Sequence, residues 1–381
     1  MLYRVAVLAA LLLALVPDVA PSPARAQSIP SSLQDSGPEA IVRQRKNAWT
    51  IGVAGGLLDG SNMRFVDELA KALDDGDNLR ILPIVSYGAA SNLEDLLYLQ
   101  GVDAAVTQAD VFEYFRVERR TPNLAVRVNY ILSLPISELH ILAREDIRTI
   151  QDLKGKKVNF GPAGSGSSLT GTIVFQRLGI PVQQVMIDQS SALQQLRAGD
   201  VSALVRVVTK PVDFFAKIPP GSGLHLLPVP FSKSMADYYG IGEFTDKEYP
   251  GLVPPGRTVD TIGVPAVLAV YNWAPNTPRH AKVERLVTRL FENWDKLQKP
   301  PFHPKWREIN PAATVPGWTR FAVADRMVQK LRADTSARQQ KSLRNDFQEF
   351  LTSSGASADG DREALFRQFL QWQQTRSTKP Q

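Results

Sequence analysis

Val158-Asn159-Phe160-Gly161-Pro162-Ala163-Gly164-Ser165-Gly166-Ser167-Ser168-Leu169-Thr170 is the stretch on which the reading of this chain turns. A short apolar strand enters a loop made almost wholly of Gly, Ser, Pro and Ala, and a helical pattern begins directly behind it. Leu169, Ile173, Val174 and Leu178 fall on one face, and Gly179 followed by Pro181 stops the helix. Strand, glycine loop and helix start outline an anion cradle. Gly164 and Gly166 let the backbone approach a ligand, and the first helical turn leaves N–H groups without partners at the positive end of the dipole. Ser165, Ser167 and Ser168 stand where helix caps stand. Leu169 replaces the third glycine of a dinucleotide fingerprint, and no lysine follows as a Walker loop requires. A glycine-rich connection with no ligand explains the same Gly and Pro residues, so the loop needs support from elsewhere.

That support comes from a second copy of the device. Thr50 to Ala54 reads as a strand, Gly55-Gly56 opens a loop through Gly60, Ser61-Asn62 can cap a helix, and Phe65, Val66, Leu69, Ala70 and Leu73 mark its face. The strand Leu79 to Val85 then leads into Tyr87-Gly88-Ala89-Ala90-Ser91-Asn92 and a helix from Leu93 to Gln100. The buried strand Gly101 to Val106 ends in Thr107-Gln108-Ala109-Asp110. Strands alternating with helices over short connections predict a parallel sheet with helices on both faces. Ligands of such sheets sit beyond the carboxyl ends of the strands, where Gly55, Tyr87, Gly88, Ser91 and Gln108 would gather.

Leu124 to Leu134, continued by Leu139 to Ala143, is longer than one strand needs and predicts a strand that leaves one lobe and enters another. After the opening loop come Val185 to Ile187, a helix near Ser191 to Ala198, the strand Val201 to Val208 and the segment Leu224 to Val229. Thr261 to Tyr271 is a further strand, and beyond Pro278 a helix places Val283, Leu286, Val287, Leu290, Phe291 and Trp294 on one side. Trp306 and Trp318 read as core plugs. Ser342 to Gln374 predicts two amphipathic helices, split near Ser353 to Gly360, whose Phe347, Phe350, Phe366, Phe369 and Trp372 dock on the body.

The chain opens with Arg4, an unbroken apolar run from Val5 to Val16 and the small-residue site Ala24-Arg25-Ala26, the pattern of a secretory signal peptide cleaved after Ala26. Its apolar core is shorter than a membrane span. Removing it takes away Arg4, Arg25 and Asp18 and changes the net charge from +6 to +5. This modest excess is spread along the chain, favours anionic solutes mildly and forms no nucleic-acid stripe. The absence of cysteine excludes disulfides, thiolate metal sites and cysteine nucleophiles.

His140, His225, His280 and His303 have no metal-ligand spacing, and His140 reads as a satisfied interior residue. The glycines around Ser165 do not fit a nucleophile elbow, and no close carboxylate pair suggests acid–base work. Many groups suit binding and none is arranged for catalysis, so the expectation is a protein that is not an enzyme and carries no cofactor or metal.

The early glycine loop, Asp103-Ala104-Ala105-Val106 with Gln108-Ala109-Asp110, Asp152 to Lys156, Gly161 to Ser167 and above all Val259-Asp260-Thr261-Ile262-Gly263-Val264-Pro265-Ala266-Val267-Leu268 carry a resemblance. From about Trp49 to Trp294 the chain resembles the TAXI family of extracytoplasmic solute receptors, which serve TRAP-type transporters. The resemblance implies an α/β, two-lobed periplasmic-binding-protein type II fold, each lobe a mostly parallel sheet flanked by helices, here with a helical C-terminal extension. It also implies a small organic anion, glutamate or another carboxylate, held between the lobes and delivered from the periplasm to a TRAP-type membrane permease. Leu57, Leu58, Asp59, Met63 and Arg64 in the first loop, Arg206 in an otherwise apolar strand, and the extension after about Ala322 depart from the family pattern.

The resulting expectation is a monomer with a signal peptide over 1–26, a disordered leader over 27–46, lobe I over 47–132 and 230–321, lobe II over 133–229 and an extension over 322–381. Backbone groups of Gly55, Gly56, Gly88, Ala89, Gly164, Ser165, Gly166 and Ser167 would receive the anion. Ser61, Asn62, Tyr87, Ser91 and Gln108 complete the predicted site, and Arg206 is either a bidentate clamp or a surface residue of an edge strand. The strands near Ser133 and Val264 would hinge. A periplasmic sensor for a membrane signalling protein, and less so an exported hydrolase, are the alternatives.

Overall fold

The computed structural model describes residues 37–354 and 362–377. The chain divides into two compact units, Met1–Ala48 and Trp49–Gln381. Of the first, helix α1 (Pro38–Ala48) stands where the leader was expected to be disordered; its sequence explains the difference. Proline sits at the first position, Glu39 in the first turn, and Arg45 and Lys46 in the last, each the sign the helix dipole favours. The signal-peptide reading lies outside the described residues.

Among the described residues, the second unit is built on ten strands. In chain order they are β1 (Thr50–Gly56), β2 (Arg80–Val85), β3 (Ala104–Gln108), β4 (Val128–Arg144), β5 (Lys157–Asn159), β6 (Gln183–Val185), β7 (Ala203–Val208), β8 (Leu224–Leu226), β9 (Gly240–Thr245) and β10 (Thr258–Tyr271). Their spatial order is β2-β1-β3-β10-β4-β7-β5-β6, with β8 added to β4 and β9 to β10. β1 runs parallel to β2 and β3, and β5 parallel to β6 and β7. Between these parallel blocks lie the long antiparallel strands β4 and β10. Two α/β halves joined by crossing strands are the two-lobed type II periplasmic-binding-protein fold.

The crossing strands change partners where proline breaks the ladder. Val264 pairs with Ser137 and Ala266 with Leu134, so Pro265 faces Pro135 and Ile136 across an irregular register. Proline donates no ladder hydrogen bond, which suits it to such a switch. Before this point β4 lies against the first half, and after it β4 pairs with β7 and β8.

Helices cover both faces of each half. On the first half α2 (Ser61–Leu73) and α7 (Pro278–Glu292) face one core, and α3 (Ala89–Tyr98) and α4 (Ala109–Val117) the other. On the second half α5 (Gly166–Arg177) and α6 (Gln189–Ala198) take opposite faces. The α7 pattern is realised as read: Val283, Leu286, Val287, Leu290 and Phe291 are buried, and Thr277 caps the helix by accepting from His280 N. Each such side chain contributes roughly 1.5–3 kcal/mol of burial. Trp306 is fully buried and donates through Nε1 to Glu68 at 2.7 Å, while Trp318 lies half-buried on Phe112 with ring centroids 3.9 Å apart.

Three expectations are corrected. The face of α5 that meets the core is Thr170, Gly171, Val174 and Phe175, and Leu169 and Ile173 are only half-buried. Gly171 decides this, because only a residue without Cβ fits against Phe160. The boundary expected after residue 229 also moves. Tyr239, Phe244, Tyr249, Ile262 and Val264 lie in the cores built on the second half, because β9 adds to the far end of β10. In the extension, α8 runs unbroken over Ala322–Ser354 and α9 over Arg362–Ser377. There Phe347, Phe350, Phe369 and Trp372 stack on one another, which covers their apolar rings between the two helices.

Candidate functional site

The opening loop of the sequence folds by its own capping chemistry. Gly161 and Gly164 have φ of 75° and 80°. Ser165 is the N-cap of α5, its Oγ accepting from Ser168 N at 3.1 Å while Ser168 Oγ donates to Ser165 O at 2.9 Å. Ser167 Oγ accepts from Val207 N at 2.9 Å, tying the first turn of α5 to the end of β7. The hydroxyls of Ser165 and Ser167, both residues of the predicted site, are therefore already used as acceptors of backbone N–H groups.

The corresponding loops of the first half come directly against this one. Gly88 adopts a φ of 123°, and a Cβ there would lie 2.9 Å from Ser165 Cα. Ser91 N, in the first turn of α3, donates to Gly164 O at 3.2 Å, so the backbone of this predicted site residue is tied to the opposite lobe. Gln108 is 2% exposed, lies where a Cβ on Gly166 would go, and its Oε1 has no hydrogen-bond partner. Gly88, Ser91, Gln108, Gly164, Ser165 and Gly166 thus form one closed seam between the halves.

The remaining predicted residues divide. Gly56 lies beside Gly88, whereas Gly55 is pressed under Met63 of α2, a close approach of helix to strand. Ala89 is buried and its carbonyl accepts from Thr107 Oγ1. Tyr87 is exposed, and Asn62 is half-buried behind Ser61. The cap expected of Ser61-Asn62 is corrected: Gly60 holds the N-cap position without a side-chain bond. Ser61 Oγ instead accepts from Thr209 N at 3.1 Å, across the seam.

Arg206 is the charged member of the seam. β7 lies between β4 and β5, so the edge-strand reading of this residue is corrected. Its buried side chain passes over the Phe214 ring at 4.9 Å and reaches the turn Leu57 to Gly60 of the other half. There Nη2 donates to Asp59 Oδ2 at 2.7 Å and to Asp59 O at 3.1 Å. Nη1 is buried and has no partner. Beside this pair a cavity of about 290 Å³ opens, lined by Asp59, Ser61, Arg64, Thr209, Asp213 and His303 among others. Desolvation pushes the His303 imidazole below its ordinary pKa.

A second crossing lies on α4 and α5. Asp110, buried, accepts from Thr170 Oγ1 at 2.6 Å, Tyr239 OH at 3.0 Å and Val111 N at 2.9 Å. Burial raises its carboxyl pKa, and raises that of the Tyr239 phenol. A cavity of about 400 Å³ beside it is lined by Glu113, Tyr114, Glu118, Arg177 and Tyr238. Behind the seam, His140 is fully buried as the sequence suggested, with Nδ1 on Glu138 O and Nε2 on Tyr249 OH, both at 2.9 Å. Desolvation lowers it to about 3 and raises Glu138, which accepts from Lys210 N, to about 7. Among the described residues, no group of His, Cys, Asp and Glu is arranged to hold a metal ion.

Sequence reasoning placed Arg206 among the candidates but did not include Asp59, Asp110, Thr170 or Tyr239. Asp59 was visible as an acidic residue in a loop otherwise suited to anions. Nothing local marks Asp110, whose partners are 60 and 129 positions away.

Residues 66–317 match the NMT1-like family. Among solved structures, an ancestral arginine-binding protein bound to arginine is similar at 17% identity and a TM-score of 0.40, over 68% of this chain and 97% of that one. The amino acid ABC transporter substrate-binding protein AbpA from Streptococcus pneumoniae, bound to L-arginine, is 15% identical with a TM-score of 0.39, over 70% and 98%. The periplasmic binding protein BugD is 14% identical with a TM-score of 0.42, over 68% and 85%.

Proposed function

The chain belongs to the NMT1-like family, and from that premise we propose that it is an extracytoplasmic solute-binding receptor of the TAXI type that takes a small organic anion at the seam between its lobes. One observation carries the reading: Arg206 is a buried guanidinium at the seam with Nη1 left without a partner. A desolvated donor of a permanent cation is costly unless something negative completes it. A carboxylate is the complement, since its two oxygens match the guanidinium fork. The Gly88 and Gly164 loops lie against each other nearby, and the hydroxyl of Ser61 supplies a further polar group from the other half.

In this reading the lobes open about the proline-interrupted crossing of β4 and β10, close to the Ser133 and Val264 positions read from the sequence. The loaded, closed form is handed to a TRAP-type membrane permease from the periplasm. Among the described residues, no helix is long and apolar enough to cross a membrane.

The test is titration calorimetry of the purified chain against L-glutamate, succinate and related carboxylates, with Arg206→Ala alongside. The reading expects binding by at least one acid and a loss of about a hundredfold in the variant. Equal affinities of the two proteins for that acid would remove Arg206, and with it the seam, from the site.

A further inference from the structure

We infer that Asp59 is a tethered competitor for the ligand: it occupies one end of the Arg206 fork, and only an acid that can engage both ends displaces it. This rests on the receptor reading above. Arg206 grips Asp59 through a single nitrogen, Nη2, which donates to both the side-chain Oδ2 and the backbone O. Nη1, buried and without a partner, is not reached by either. The internal carboxylate is therefore a poorer match to the guanidinium than a free one that lies in its plane and takes both nitrogens.

The two sides of the exchange differ in solvation. The Arg206 side chain is 6% exposed and that of Asp59 is 65% exposed, so Asp59 returns to water at little cost when it leaves. It stands on a turn closed by its own hydrogen bond, Gly60 N to Leu57 O at 2.9 Å, and can move without unravelling α2. The cavity of about 290 Å³ is lined by Asp59 and Ser61 and not by Arg206, so the guanidinium opens to an incoming acid only as Asp59 swings away. A neutral amide or alcohol brings one acceptor and no charge to Arg206, so it gains too little to eject the aspartate. Asp59 thus sets a threshold that selects carboxylates and weakens every ligand by the fraction of time it holds the clamp.

The experiment compares wild type, Asp59→Asn and Arg206→Lys by calorimetry with succinate and L-glutamate, and with their amides succinamide and L-glutamine. Asp59→Asn is expected to lower the Kd for the bound acid about fivefold and to bring the matching amide measurably into range. If wild type binds an acid, Arg206→Lys weakens it and Asp59→Asn leaves it within twofold or weaker, the competitor is overturned while the receptor reading stands. If Arg206→Lys binds as wild type does, or no acid binds any of the three proteins, both fall together. Thermal melts of each variant without ligand establish that the comparison is among folded proteins.

Discussion

Asp110 and Arg206 reach across the same seam, one from each half, and they are completed to different degrees. Asp110 sits on α4 and accepts from Thr170, Tyr239 and its own helix N–H, all buried. Arg206 sits on β7, spends one nitrogen on the exposed Asp59 and leaves the other dry and unpaired. A saturated buried network fastens two surfaces together, whereas a half-satisfied charge is tolerable only if another partner is expected. On the proposed reading, the difference separates the part of the seam that holds the lobes from the part that would meet a ligand.

The most disruptive test removes the surface both contacts share. Gly88→Val puts a side chain at a φ of 123° and within 2.9 Å of Ser165 Cα, so urea denaturation should show a loss of about 3 kcal/mol. A variant as stable as wild type would mean that the seam is not closed in solution. Next comes Arg206→Ala, with its hundredfold loss of carboxylate affinity but about 1 kcal/mol or less of stability, because the partner it abandons is solvated. Asp110→Ala should do the reverse, losing about 2 kcal/mol in the same denaturation experiment while ligand affinity changes by less than twofold. Exchanged outcomes for these two would invert the assignment of fastener and clamp.

A smaller effect reports on the buried groups behind the seam. Glu138 is raised to about 7 by desolvation, so between pH 4.5 and 7 the unfolded chain gives up that proton first and stability falls as pH rises. His140 is lowered to about 3, so its contribution falls as pH drops from 6.5 towards 3. From pH 4.5 to 6.5 the two slopes oppose each other. Glu138→Gln removes one of them, and the melting temperature should then rise across that window and stay level above it. Its difference between pH 5 and pH 7.5 should shift by roughly 3 °C from that of wild type. An unchanged profile would show that Glu138 keeps an ordinary carboxyl pKa.

Much of the architecture is legible in the sequence because it is local. The α7 stripe, the long apolar run that became β4 and the paired glycine loops each carry their signal within one element. Of the loops read from the sequence, the Tyr87–Ser91 turn meets the Gly164 loop, whereas the Gly55–Gly60 loop, read as its counterpart, reaches the end of β7 through Asp59 and Ser61. What escaped depends on distant partners. Asp110 looked like any acid in a first helical turn until Thr170 and Tyr239 were seen to surround it. The residues around β9 were assigned to the wrong half, since only the length of β10 decides which end they join. Arg206 read equally as a clamp or a surface residue because burial and the company of Asp59, 147 positions away, are tertiary facts.

The most direct measurement is a crystal structure of the chain with the carboxylate from the panel that binds it most tightly. The account predicts that acid's carboxylate within hydrogen-bonding distance of Arg206 Nη1 and Nη2, in the place of the Asp59 carboxylate. Density for the acid elsewhere, with Arg206 Nη1 still unpartnered inside a closed seam, would contradict it.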